Sequence, residues 1–202
     1  MINIPIFFLG YLLGSPNLAL LLAKRRAVDL GAGAGSGNPG ATNAFLLMGW
    51  RAGLLVALHD VGKAVLAVRL ALRLFPAAVL GGVVSGVGCV LGHMFPFYRR
   101  FRGGKGVAPY LGMLLALDWR MALLLFVAAV LIGFVTNFPV LGSLIAVSAA
   151  PVYYAVTWRP AAGAVLAVAS VAMLLRHREN FARFRSGTET SYRDAFGRNP
   201  HS

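Results

Sequence analysis

Gly35-Ser36-Gly37-Asn38-Pro39-Gly40-Ala41-Thr42-Asn43 follows the basic cluster Lys24, Arg25 and Arg26 and separates two apolar stretches. Glycines let backbone N–H groups converge on one point. Ser36, Asn38, Thr42 and Asn43 add short-armed polar groups, so the segment suits a phosphate ester. The spacing Gly35-x-Gly37-x-x-Gly40 literally matches a dinucleotide fingerprint, but no strand precedes it and no βαβ unit surrounds it, so the match is coincidental. What remains is an anion nest near the start of a helix, whose N–H groups favour negative charge. The plainer reading is a flexible glycine loop with polar caps.

Two more polar segments have the same character. In Gly92-His93-Met94-Phe95-Pro96 and Phe101-Arg102-Gly103-Gly104-Lys105-Gly106-Val107, two cations flank glycines that admit a close backbone approach. A phosphate there meets Arg102, Lys105 and several N–H donors at once; as a bare charge run the segment is a solvated loop. His93 ends an apolar run, where an ionisable group is either functional or a satisfied structural histidine. Further on, His177-Arg178-Glu179-Asn180 places an imidazole and an amide three residues apart, on one face if the last helix continues through them. They would then orient a hydroxyl, or else anchor the helix end at the membrane surface. Inside the second apolar run, Asp60 and Lys63 are also three apart and would neutralise each other while bracing the loops above. The six acidic residues of the chain leave little room for a metal cluster, and the sequence calls for no cofactor.

These segments hang on apolar elements. The 202 residues are 58% hydrophobic and 12% charged, against the roughly 25% charged residues of ordinary soluble domains, and the mean hydropathy is +0.74. This is the composition of an integral membrane protein. Candidate spans are Ile2 to Ala23, Gly53 to Leu74, Ala77 to Phe97, Met121 to Thr136, Val140 to Thr157 and Ala161 to Leu175, with Gly106 to Leu117 as a further half-length segment. Counting that segment gives an all-α protein with seven short transmembrane helices. With the N-terminus outside, Lys24, Arg25, Arg26, Arg51, Arg99, Arg100, Arg102, Lys105, Arg176, Arg178, Arg183, Arg185, Arg193 and Arg198 lie on the cytoplasmic side, and only Arg73, Arg120 and Arg159 on the other. All three polar segments and the C-terminus then share the cytoplasmic face. The whole chain, 1–202, reads as one membrane domain with a basic tail over 176–202. The net charge of +13 is clustered at helix ends without interleaved aromatics, so nucleic acid is not an expected partner. The lone Cys89 reads as a small core residue.

Taken in order, Gly14-Ser15-Pro16, Asp29, the Gly35 to Asn43 run, Asp60-x-x-Lys63, Gly92-His93-x-Phe95-Pro96, Phe101 to Val107, Ser143, His177-Arg178-Glu179-Asn180 and Gly187-Thr188-Glu189 resemble one family. It is the bacterial membrane glycerol-3-phosphate acyltransferases that use acyl phosphate, the PlsY family. The resemblance implies transfer of a fatty acyl group to the 1-hydroxyl of glycerol 3-phosphate, in phospholipid biosynthesis at the bacterial cytoplasmic membrane. It implies no cofactor, no metal, no obligatory protein partner, and the lipid bilayer as surroundings. By the same resemblance, Ser36, Lys105 and Ser143 hold the phosphate of glycerol 3-phosphate, with Arg102, Thr42 and Asn43 alongside. The backbone of Gly35, Gly37, Gly40 and Gly104 cradles phosphate, while Asn38, His93, His177 and Asn180 orient the hydroxyl and polarise the carbonyl. An acyl phosphate is already activated, so positioning and charge stabilisation suffice.

The chain departs from the family pattern at four places. A usual arginine three residues beyond Asn43 is Leu46, a usual arginine after Leu30 is Gly31, a serine ahead of Ser143 is Val140, and a small polar residue after Ala108 is Pro109. Leu46 removes an expected phosphate ligand; Arg51 lies about one helical turn further on. The other readings are a transporter or binding protein for a phosphorylated solute, from glycine-broken segments around a basic site, and a substrate-shifted or impaired relative of the acyltransferases.

Overall fold

A computed structural model describes residues 1–30, 37–189 and 191–193. Among them are ten α-helices and no strand. The chain divides into two compact units, Met1–Trp119 and Arg120–Ser202.

The first unit is built around α5. Helices α1 (Asn3–Gly14) and α2 (Leu18–Arg25) were expected as one continuous segment but are separate. Pro16 has no N–H to offer a helix and its ring clashes with the carbonyl four residues back. Ser15 closes α1 by donating from both its N and Oγ to Tyr11 O, at 3.0 and 2.8 Å. Asn17 then caps α2, its Oδ1 accepting from Leu20 N at 3.1 Å. Next come α3 (Ala41–Met48), α4 (Trp50–Leu74), α5 (Gly81–Met94) and α6 (Val107–Leu117). Every residue of α5 except Leu91 is buried, Cys89 included, so this helix is apolar all round because it has neighbours all round. Its 14 residues rise only ~21 Å at ~1.5 Å each.

Small residues let α1 lie directly on α5. A Cβ at Gly10 or Gly14 would run into the backbone of Ser85 or Cys89, and one at Gly88 or Gly92 into that of Phe7 or Tyr11. This is helix packing through backbone contact, the kind that replaces the hydrophobic effect inside lipid. Ser85 Oγ donates to Ala67 O at 2.9 Å and ties α5 to α4. Pro109, one of the departures from the family pattern, falls in the first turn of α6, where a missing N–H costs nothing.

The second unit holds α7 (Trp119–Thr136, from Arg120 on), α8 (Pro139–Thr157), α9 (Pro160–Arg176) and α10 (Arg178–Arg185). Pro139 and Pro160 start their helices, where proline fits. Pro151 does not: it sits inside α8 and leaves Val147 O without its N–H four residues on. Ser170 of α9 donates to that carbonyl at 2.9 Å. Within this unit Leu124, Phe134, Val135, Val152 and Val156 are more than half exposed, an arrangement suited to lipid as solvent.

By length and apolar composition, Asn3–Arg25, Gly81–Arg99, Trp119–Thr136 and Pro139–Thr157 can each cross a bilayer. Pro160–Arg176 with Arg178–Arg185, bent by 43°, makes a fifth candidate. The 25-residue α4 is long enough but carries Asp60 and Lys63 mid-helix, and the 11-residue α6 is too short.

Candidate active site

In the first unit the polar groups meet where α4, the end of α5 and the break between α1 and α2 converge. Lys63 Nζ lies 2.8 Å from Asp60 Oδ1, 2.8 Å from Pro16 O and 3.0 Å from His93 Nδ1. Asp60 Oδ1 is also 3.2 Å from His59 Nδ1 and 3.5 Å from His93 Nδ1. Asp60, Lys63 and His93 are all buried, so each charge needs its partner: an ion taken from water without compensation costs several kcal/mol. The sequence suggested the Asp60–Lys63 pair; the lysine's reach to His93 and Pro16 it did not.

After α5 the chain turns through Phe97–Arg99, a single 3₁₀ turn, and folds back on the helix end. Gly103 N donates to Met94 O at 3.0 Å and Gly104 N to His93 O at 3.1 Å. A Cβ at Gly104 would overlap His93 Nε2, and one at Gly103 would strike His93 O. These two glycines are required by close approach. Two tyrosines fix the turn from behind: Tyr98 Oη donates to Ser15 O at 2.6 Å and Tyr11 Oη to Phe95 O at 2.5 Å. Lys105 follows, half-buried, just before α6; Arg102 is exposed. Neither tyrosine stood out in the sequence, because an aromatic in an apolar run carries no signal of its hydroxyl's partner.

Gly35 and Ser36 lie outside the described residues. Of the rest of that loop, Gly37 is exposed with φ +67°, Asn38 is half-buried, and Asn17 Nδ2 donates to Pro39 O at 3.0 Å. Gly40 is the N-cap position of α3, so Thr42 and Asn43 belong to the helix. Thr42 is exposed, while Asn43 is buried and donates from Nδ2 to Leu30 O at 2.9 Å. Leu46 is half-buried on α3, and the exposed Arg51 packs its guanidinium over the Trp50 ring at 5.5 Å.

In the second unit Ser143 is half-buried on α8 and donates to Val140 O at 2.8 Å. The helix carrying His177 does not continue straight through it, as the sequence suggested. It ends at Arg176 and restarts at Arg178, with the 43° bend between. Both His177 and Asn180 are nevertheless buried. His177 Nδ1 lies 2.7 Å from Met173 O; a carbonyl only accepts, so Nδ1 carries the proton there. Asn180 Nδ2 donates to Glu189 Oε1 at 2.8 Å, and Arg183 Nε to Glu189 Oε2 at 2.9 Å. Glu189 thus fixes which way the Asn180 amide points, a role that one glutamate beyond a glycine turn does not announce.

A sequence profile described as glycerol-3-phosphate acyltransferase matches residues 4–187. The chain belongs to the glycerol-3-phosphate acyltransferase family. Among curated members it is 36% identical to the enzyme of that name from Coxiella burnetii over 181 residues, covering 90% of this chain and 93% of that one. It is 38% identical to that from Photobacterium profundum over 183 residues, covering 90% and 88%. The fold is similar to the crystal structure of PlsY (YgiH), an integral membrane glycerol 3-phosphate acyltransferase, in its glycerol 3-phosphate form. The TM-score is 0.86 at 32% identity, over 95% of this chain and 96% of that one. The lysophosphatidic acid form gives a TM-score of 0.84 at 31% identity, over 96% and 97%. This acyltransferase family member is therefore an all-helical, multi-pass membrane protein.

Proposed function

We propose that the protein transfers a fatty acyl group from acyl phosphate to the 1-hydroxyl of glycerol 3-phosphate, releasing lysophosphatidate and inorganic phosphate. The observation that carries this reading is the family match across residues 4–187, which runs through both compact units and every polar segment. The solved relative in forms with glycerol 3-phosphate and lysophosphatidic acid supports the acceptor and the product.

Chemically, the hydroxyl oxygen attacks the acyl carbon, a C–O bond forms, the bond from acyl carbon to phosphate oxygen breaks, and the hydroxyl proton leaves on the departing phosphate. The phosphate is a competent leaving group, so the protein's task is to align two anionic substrates and stabilise charge on the carbonyl oxygen. In this reading Ser36, Lys105 and Ser143, with Arg102, Thr42 and Asn43, bind the phosphate of glycerol 3-phosphate. The Gly35 to Gly40 backbone binds acyl phosphate, and Asn38, His93, His177 and Asn180 orient the hydroxyl and polarise the carbonyl. The residues 1–202 act as one catalytic domain with seven crossings of the bacterial cytoplasmic membrane, the N-terminus outside and the site facing the cytoplasm. The cation asymmetry supports that orientation.

The test is direct. Purified protein in detergent, given palmitoyl phosphate and glycerol 3-phosphate, should release phosphate and form lysophosphatidate in equal amounts. Neither product appearing would sink the reading.

A further inference from the structure

An ammonium group has three protons and no lone pair. Lys63 faces three acceptors: Asp60 Oδ1 at 2.8 Å, Pro16 O at 2.8 Å and His93 Nδ1 at 3.0 Å. The third contact is a hydrogen bond only if His93 Nδ1 presents a lone pair. The competing arrangement puts a proton on Nδ1 and aims it at Asp60 Oδ1. That oxygen is farther away, at 3.5 Å, and the imidazole proton would then abut the ammonium protons. Distance and sterics both favour donation from Lys63. With the ring neutral, the histidine proton sits on Nε2.

That nitrogen is the one facing Gly104, where a methyl group would overlap it. The Gly103 and Gly104 amides are held on Met94 O and His93 O, so the backbone beside the ring is fixed. With side chains only 3% and 7% exposed at His93 and Lys63, bulk water does not set the ring's protonation pattern.

We infer that Lys63 is a positioning residue that holds His93 as its Nε2–H tautomer, so that His93 meets the substrate as a hydrogen-bond donor to an oxygen gaining negative charge. This deepens the acyl-transfer reading and rests on it. A ring without a lone pair at Nε2 does not take the acceptor's hydroxyl proton, which leaves instead on the departing phosphate. Asp60 is the counter-charge that holds Lys63 in place at 2.8 Å, and Pro16 O, exposed by the break between α1 and α2, is its third anchor.

The experiment is ¹⁵N-histidine NMR on the full-length protein in detergent micelles, with His93 assigned by its loss in His93→Gln. The expected spectrum has an unprotonated Nδ1 and a protonated Nε2. Lys63→Met should convert His93 to an exchanging mixture of tautomers and lower kcat by about tenfold or more, with KM for glycerol 3-phosphate moving less than about threefold. Lys63→Arg, which retains a donor, should recover part of that kcat. If Lys63→Met fails to fold because Asp60 is left as an uncompensated charge, the Asp60→Asn/Lys63→Met double variant removes both charges and carries the same expectation. A protonated Nδ1 in the wild type, or wild-type kcat in the folded Lys63 variant, overturns the inference. Absence of acyl transfer by the wild type overturns the functional reading instead, and the tautomer remains readable without it.

Discussion

Gly104 and Leu46 are the two residues at which sequence and site are most tightly coupled. A methyl group at Gly104 would force the buried imidazole of His93 out of its place. Gly104→Ala should therefore retain the fold and lose about 100-fold in kcat, the scale of a misplacement of about 1 Å at a reacting centre; phosphate release measured beside a thermal melt separates the two effects. Leu46 stands where the resemblance leads one to expect an arginine. It is half-buried, and the nearby Arg51 is engaged with Trp50. Leu46→Arg should lower KM for glycerol 3-phosphate about tenfold, ~1.4 kcal/mol, in steady-state kinetics with acyl phosphate saturating; an unchanged KM would mean the acceptor phosphate is held without that position. The residue types of the site were legible because glycines, cations and histidines are conspicuous in an apolar chain. The partners were not: Lys63 and His93 are thirty residues apart, and nothing local in sequence reports a contact over that separation.

Among the elements, α5 and α8 show how small and polar residues substitute for ordinary packing. The α1–α5 contact runs backbone to backbone through Gly10, Gly14, Gly88 and Gly92. Gly88→Leu should abolish the contact and leave the protein unfolded or aggregated on size-exclusion chromatography, because the obstacle is the Phe7 carbonyl on a neighbouring helix and not a mobile side chain. In α8 the carbonyl freed by Pro151 is answered by Ser170. Ser170→Ala should cost about 1 kcal/mol, the net contribution of the hydrogen bond removed, read as a lowered Tm in the same detergent. The positions of α4 to α9 followed from apolar runs. The breaks at Ser15–Asn17 and at His177 were missed. Pro16 and the Asn17 cap make the first break, and at the second the helix bends by 43° where the apolar run gives way to His177-Arg178-Glu179.

For the whole molecule, the distribution of cations gives a prediction about sidedness. With Cys89 replaced by alanine, single cysteines at the exposed positions Arg100 and Arg185 should react with an impermeant thiol reagent only from the cytoplasmic side, and those at Arg73 and Arg159 only from the opposite side. Labelling of Arg73→Cys from the cytoplasmic side would remove the seven-crossing arrangement, since that arrangement places the end of α4 outside. Burial supports the choice of Cys89 as the position to vacate: it is fully enclosed in α5, where alanine has nearly the same volume.

The amino-acid sequence established the class of molecule and the family, and proposed the inventory of the site. Apolar composition leaves only helices in a bilayer, and the ordered glycine, cation and histidine motifs are read along the chain without knowing any contact. Tertiary structure alone decided how those groups are poised. It set Lys63 against His93 and Pro16 and turned Gly104 under an imidazole. These outcomes depend on distances of about 3 Å between residues far apart in the chain, and the orientation of a proton on a ring is fixed only when such partners are in place.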